Sequence, residues 1–232
     1  MLKRIIKVLM VLVMAVSLAA CGDGGKAQKE VATKFLDACV AGNFDEAAKY
    51  VTDDANKVLG VKDLDSSMQK EFKNALLTGG LTFDDMGEKF KKGSTDLVSY
   101  ILSKLVDSYT LDSKVKNNVV VAHVKIIDTK KMSMSKDVTT KIQNIATEYT
   151  KKNLDKLQPI YAKQGYKGLY KTIYEAVGQE IFDLMKTEWV DKLVTTDMDW
   201  ALTVDKNNDG ELVITKASMT KDTSTTKDSS GE

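Results

Sequence analysis

Only a few side chains in this sequence are placed to do chemistry. There are two thiols, Cys21 and Cys39, and one imidazole, His123. A single histidine excludes a histidine pair for metal or acid–base work, and a lone histidine in a strand reads as packed or surface-facing. Ser67 and Lys70 are three residues apart, which on a helix puts a lysine one turn from a serine hydroxyl. That is the spacing of serine–lysine nucleophiles, but their companion runs Ser-Asp-Asn and Lys-Thr-Gly are absent, and Ser66 or Ser67 reads better as a helix cap. Asp205-Lys206-Asn207-Asn208-Asp209-Gly210 matches the opening of a calcium loop. The twelfth position is Lys216, where such a loop needs a bidentate glutamate. Asn and Asp-Gly are also what a hairpin turn uses. Asp205, Asn207 and Asp209 are therefore a weak calcium candidate, and neither a metal nor a cofactor is expected. Four of the eight tyrosines, Tyr161, Tyr166, Tyr170 and Tyr174, fall in one stretch. The last three are spaced i, i+4, i+8, so a continuous helix presents them as a stripe of flat apolar faces with polar tips, suited to peptide or sugar contact. A helix half-buried against a sheet would carry the same stripe.

The first segment reads as an address. Lys3, Arg4 and Lys7 precede an apolar run from Val8 to Leu18, which ends in Leu18-Ala19-Ala20-Cys21-Gly22. A charged start, a short apolar core and a small-residue end make a secretory signal. The core falls short of the roughly 20 apolar residues a permanent span needs. The ending resembles the lipobox of bacterial lipoproteins. That resemblance implies a diacylglyceryl group on the Cys21 thiol and cleavage just before it. Residues 1–20 are then the signal peptide, and the mature chain is held on the extracytoplasmic face of the cell membrane by its lipid. Each buried CH₂ contributes roughly 0.8 kcal/mol, and two acyl chains suffice for stable anchoring.

Removing Lys3, Arg4 and Lys7 with the leader takes the formal charge from +1 to −2. A near-neutral mature chain lacks the concentrated basic patch that nucleic acid calls for, so no nucleic-acid partner is expected. Hydrophobic content of 43% supports a real core. With Cys21 acylated, Cys39 has no partner for an internal disulfide.

The elements that position these residues follow in order. Residues 21–28 read as a flexible tether. Ala32, Phe35, Leu36, Cys39 and Val40 form one face of an amphipathic helix, which makes Cys39 a buried, inert thiol. Gly42 ends that helix, and Asn43 caps the next with Glu46 three residues on. Ser66 to Leu77 is a further helix. Leu81 to Gly93 is a mixed loop or short helix, and Ser94 is expected to cap a strong helix with Leu97, Val98, Ile101, Leu102, Leu105 and Val106 on one side. Tyr109 to Lys116 and Val119 to Ile127 alternate as a strand pair around Asn117-Asn118, which supplies the positive φ of a tight turn. Residues 137–186 form a helical insertion in two helices, the first ending before Pro159, with Gly165 and Gly168 punctuating the connection. Thr196 to Asp205 and Glu211 to Ala217 are a second strand pair. Residues 220–232 are too polar to order themselves.

The helix pair Ala32-Thr33-Lys34-Phe35-Leu36 through Gly42-Asn43-Phe44-Asp45-Glu46-Ala47-Ala48 resembles the opening of small exported lipoproteins with a cystatin-like cone domain, in the nuclear transport factor two-like superfamily. That resemblance and the strand pairs together predict an α+β fold: a curved antiparallel sheet packed on N-terminal helices, with the insertion between two hairpins and a domain spanning 29–219. It implies a non-enzymatic module that binds a small ligand or another envelope protein. The alternative is a small-molecule enzyme of isomerase or dehydratase type, which needs an acid or base inside the cone. A structural envelope protein that docks a partner on its insertion is the third reading.

Overall fold

The computed structural model describes residues 25–77 and 80–221. The leader, Cys21 and most of the tether lie outside the described residues, as do residues 222–232. The first helix, α1 (Lys26–Val40), begins inside the stretch expected as tether. Its buried face is Ala32, Phe35, Leu36, Ala38 and Cys39, the stripe that the helical spacing picks out. Burial pushes the Cys39 thiol up to about 12, so it stays protonated and inert. Gly42 closes the turn with φ +68°, and the Asn43 side chain accepts a hydrogen bond from the Glu46 amide, capping α2 (Phe44–Ala47). Two further helices follow, α3 (Asp53–Leu59) and α4 (Leu64–Leu76). Asp63 stands at the N-cap position of α4, so Ser66 and Ser67 lie in the first turn, where the Ser66 hydroxyl donates to the Asp63 carbonyl.

The next helix departs from the expectation. It runs unbroken as α5 (Glu88–Leu105), with Gly93 and Ser94 buried in its interior, and its residue at the N-cap position is Gly87. Tertiary packing overrides the local cap signal here. Gly93 sits against the Phe182 ring, where a longer side chain would clash. The apolar residues of α5 also split into two faces. Val98 and Leu102 join the core under the sheet, while Phe90, Leu97 and Ile101 join a second core. The helix is a wall shared by both.

No loop intervenes before β1 (Val106–Leu111), which starts where α5 ends. A turn with Asn117 and Asn118 at φ 52° and 61° leads into β2 (Val119–Ile127). The second hairpin is β3 (Thr195–Lys206) and β4 (Leu212–Lys221), so Thr220 and Lys221 belong to a strand. The four strands form one antiparallel, unclosed, curved sheet in the order β1-β2-β3-β4. Its inner face carries Val120, Ala122, Val124, Trp200, Leu202, Val204 and Ile214 against α1, with Phe35 and Trp200 in ring contact at 6.3 Å. Alternation of one buried and one wet face explains the strand pattern.

Between β2 and β3 the chain leaves and returns at neighbouring points, since Ile127 pairs with Thr195 and the Asp128 amide donates to the Val194 carbonyl. The excursion contains α6 (Lys136–Lys152), capped by the Ser135 hydroxyl on the Val138 amide. It continues as α7 (Leu154–Glu188), kinked at Gly165. The first helix therefore ends at Lys152, well before Pro159, and Pro159 lies within α7. Gly165 takes φ 62°, ψ −159°, a region open essentially to glycine alone. Gly168 is helical and buried. The insertion does not cover the sheet. It packs on the far side of α5, through Val177, Ile181, Phe182 and Met185 of α7.

Candidate binding surfaces on the helical insertion

The insertion is an antiparallel pair of helices with an open seam. Ile142, Ile145 and Tyr149 of α6 turn toward Val177, Ile181 and Leu184 of α7 and are only partly buried. Asn153 stops α6, its side-chain amide donating to the Tyr149 carbonyl. A groove along this seam encloses about 510 Å³ and is lined by Lys141, Ile145, Tyr149, Val177, Glu180 and Leu184, among others. A second, of about 310 Å³, lies on the other flank of α6 and is lined by Ala146, Thr150, Tyr170, Ile173 and Tyr174. Both volumes fall within the range of small-ligand clefts, roughly 300–1,000 Å³. The first is lined by two lysines, Lys141 and Lys152, and two glutamates, Glu148 and Glu180, with Ile145, Tyr149, Val177 and Leu184 among the apolar residues between. Lys141 is held toward one end by Asp137 and Glu188, at 3.1 and 3.2 Å.

The kink at Gly165 leaves the stripe of Tyr166, Tyr170 and Tyr174 together on the segment that follows it. Tyr161 precedes the kink, and the bend brings its ring to 5.0 Å from Tyr166, edge-on. Tyr166 in turn stacks on Tyr170 at 6.2 Å. Tyr161 and Tyr166 are exposed, at 44% and 61%. Tyr170 and Tyr174 are half-buried, and Tyr174 meets Phe90 edge-on at 6.0 Å in the second core. The four residues thus split into an exposed pair and a pair that also packs.

The loop before α5 is tied to the same helix. Asp85 accepts from the Thr82 backbone and hydroxyl and from Lys167 at 2.9 Å, which together hold its carboxyl down to about 2. Glu175 accepts from the Gly87 amide.

The other chemical candidates fall elsewhere. Ser67 and Lys70 are both exposed on α4. In the loop from Asp205 to Glu211, the Asn207 side-chain oxygen accepts the Asp209 and Glu211 amides at 2.9 Å each, and Asp205 accepts from the Asn118 side chain at 2.7 Å. Of the oxygens a cation would need, that of Asn207 is committed to the turn itself and one of Asp205 to Asn118 in the β1–β2 turn. Among the described residues no cluster of His, Cys, Asp and Glu is arranged to hold a metal ion.

Sequence reasoning missed the surroundings of His123. On the open face of the sheet its Nδ1 lies 2.6 Å from Asp199 and its Nε2 3.2 Å from Asp112. The two carboxylates hold the imidazole above its ordinary value. A signal for half of this was available. A two-residue turn at Asn117-Asn118 pairs Lys116 with Val119 and, extended, sets Asp112 opposite His123. An irregularity over 113–115 instead puts Thr110 opposite His123 and Asp112 on the diagonal, still within reach. The Asp199 contact depends on how β2 meets β3, which no local signal fixes.

The space between sheet and helices is filled by Phe35, Leu36, Cys39, Trp200 and Leu202, each at 5% exposure or less. The only buried polar or charged residue among those described is Ser94, which lies in α5. No described helix is long and apolar enough to cross a membrane. The chain matches no family model, no curated protein and no solved structure.

Proposed function

We propose that this protein is a lipid-anchored module of the cone-domain lipoprotein kind, held through Cys21 on the extracytoplasmic face of the cell membrane. It binds a small ligand or another envelope protein without catalysing a reaction. The observation that carries the binding part is the open groove between α6 and α7, set beside a sheet–helix interface already filled with side chains. Ile145, Tyr149, Val177 and Leu184 supply apolar contact, and Lys141, Glu148, Lys152 and Glu180 supply orientation. The anchor rests on the leader and on Leu18-Ala19-Ala20-Cys21.

Two measurements test this reading. Mass spectrometry of the mature N-terminus should find an acylated cysteine with no residue before it, and Cys21→Ser should come off the membrane fraction in a high-salt wash that leaves the unaltered protein bound. A photo-crosslinking side chain placed at Asn144, in the groove, should give a discrete adduct in intact cells, whereas one placed at Lys216, on the outer face of the sheet, should not. Equal labelling from both positions, or none from Asn144, would remove the groove as the binding surface.

A further inference from the structure

The distal end of the insertion has a chemistry of its own. Among the described residues five large hydrophobic side chains are markedly exposed, and three of them, Leu154, Tyr161 and Tyr166, lie between the turn at Asn153 and the residue just past Gly165. Over residues 154–164 only Leu157 is buried. The exposed rings are held in place by each other, Tyr161 on Tyr166 and Tyr166 on Tyr170.

Around these rings stand lysines. Residues 151–171 hold Lys151, Lys152, Lys156, Lys163, Lys167 and Lys171, all exposed, against one carboxylate, Asp155. The whole chain has a formal charge of only +1, so this is a local concentration. Lys152 pairs with Glu148 and Lys167 with Asp85, while Lys151, Lys156, Lys163 and Lys171 have no carboxylate partner among the described residues. Leu154 and Tyr161, seven apart, share one flank of the helix, and Lys156 and Lys163, also seven apart, share another.

We propose that this end of the insertion is a contact surface for an anionic lipid bilayer. Leu154, Tyr161 and Tyr166 enter the headgroup region, and the four free lysines meet lipid phosphates. Tyrosine is favoured at the membrane–water interface, and a lysine beside it lays its alkyl stem on apolar surface while its ammonium stays wet. Basic clusters draw a protein to anionic lipid. The composition favours a bilayer over a protein partner, because lysine is depleted in the buried centres of protein interfaces. This surface is distinct from the α6/α7 groove, and the proposal does not depend on acylation of Cys21.

The test uses the full chain carrying Cys21→Ser, with an environment-sensitive fluorophore on Ala162→Cys. Ala162 is exposed, and the buried Cys39 thiol, held protonated, escapes labelling. Vesicles of phosphatidylglycerol and phosphatidylcholine should shift the emission to the blue, and vesicles of phosphatidylcholine alone should not. Raising the salt should weaken the shift. Lys156→Glu with Lys163→Glu, and separately Tyr161→Ser with Tyr166→Ser, should each reduce the bound fraction several-fold while leaving the circular dichroism melt unchanged. An unshifted probe on anionic vesicles overturns the proposal. So does an equal shift on neutral vesicles, which would assign the contact to the leader. A shift that grows with protein concentration without vesicles would give the surface to a second copy of the chain.

Discussion

Gly178 of α7 lies directly against the Phe90 ring of α5, so close that a Cβ there would stand 2.6 Å from the ring carbon Cδ2. The arrangement is reciprocal, for a Cβ on Gly93 of α5 would stand 2.8 Å from Phe182 of α7. Phe90 and Phe182 are themselves in contact at 5.1 Å. Two glycines and two rings thus interlock where the insertion meets the rest of the chain, and the missing side chains set the helix separation. Gly178→Ala gains about 1 kcal/mol of helix propensity. It overpacks a close-packed core, which costs about 1–3 kcal/mol. The expected outcome is a lower unfolding midpoint, recovered in part by adding Phe90→Leu. A midpoint that rises in the single variant would show that the rings move aside freely.

Ser94 gives the opposite sign. It is fully buried in α5, and its hydroxyl finds no hydrogen-bond partner among the described residues. Were it the helix cap that its position in the sequence suggests, Ser94→Ala would cost about 1 kcal/mol. Removing an unsatisfied buried hydroxyl, with a better helix former in its place, should instead be neutral or stabilising by about 1 kcal/mol. Urea unfolding of the single variant distinguishes the two.

His123 should make stability depend on pH in a definite direction. Hydrogen bonds to Asp199 and then Asp112 raise its folded pKa above 6.5. The contribution is therefore fully present below the unfolded value near 6.5 and fades as pH rises through the folded one. Lys125 and Asp197, paired with each other across β2 and β3, also lie on this outer face of the sheet. The imidazole resonances of the folded protein should titrate with a midpoint above 6.5. The unfolding midpoint should fall modestly as pH rises past that point, and His123→Gln should flatten the slope. The side chain is about half exposed, so solvent screens the pairs and the effect is small.

Calcium should not stabilise the protein. Asn207 spends its oxygen on the hairpin turn, one Asp205 oxygen accepts from Asn118 of the β1–β2 turn, and Lys216 occupies the place of the closing carboxylate. Millimolar calcium should leave the melting temperature unchanged, and Asp209→Ala should not alter that result. Asn207→Ala should lower stability without any metal, by about 1 kcal/mol for the two amides left unbonded. A calcium-dependent rise of several degrees, abolished by Asp209→Ala, would reverse this assignment.

The tyrosines should separate into two classes. Tyr174→Ala removes a ring packed on Phe90 and should cost stability, though less than the roughly 3–5 kcal/mol of a fully buried aromatic. Tyr161→Ala and Tyr166→Ala should leave the unfolding midpoint nearly unchanged. Thermal denaturation of the three single variants checks the division.

What the sequence alone determined is what short-range spacing encodes. The stripe through Phe35, Leu36 and Cys39 fixed the buried face of α1, and period-two alternation fixed which side of β3 carries Trp200, Leu202 and Val204. Asn117-Asn118 and Asn207 to Gly210 fixed both hairpin turns, since few residues tolerate the backbone those turns need. Only the tertiary structure decided where the apolar faces go. Periodicity marks Leu97, Val98, Ile101 and Leu102 as apolar, but it does not say that two cores will divide them. Nor does it show Ser94 inside a helix, because the packing of Gly93 on Phe182 outweighs a local cap. His123 and Asp199 meet because β2 and β3 pair across the whole insertion, and that register is set by the side chains beneath the sheet. The kink at Gly165 folds Tyr161 back onto Tyr166, and the stripe that follows runs from an exposed end at Tyr166 to a packed base at Tyr174. A glycine permits a bend, but its direction is settled by what the helices on either side must bury.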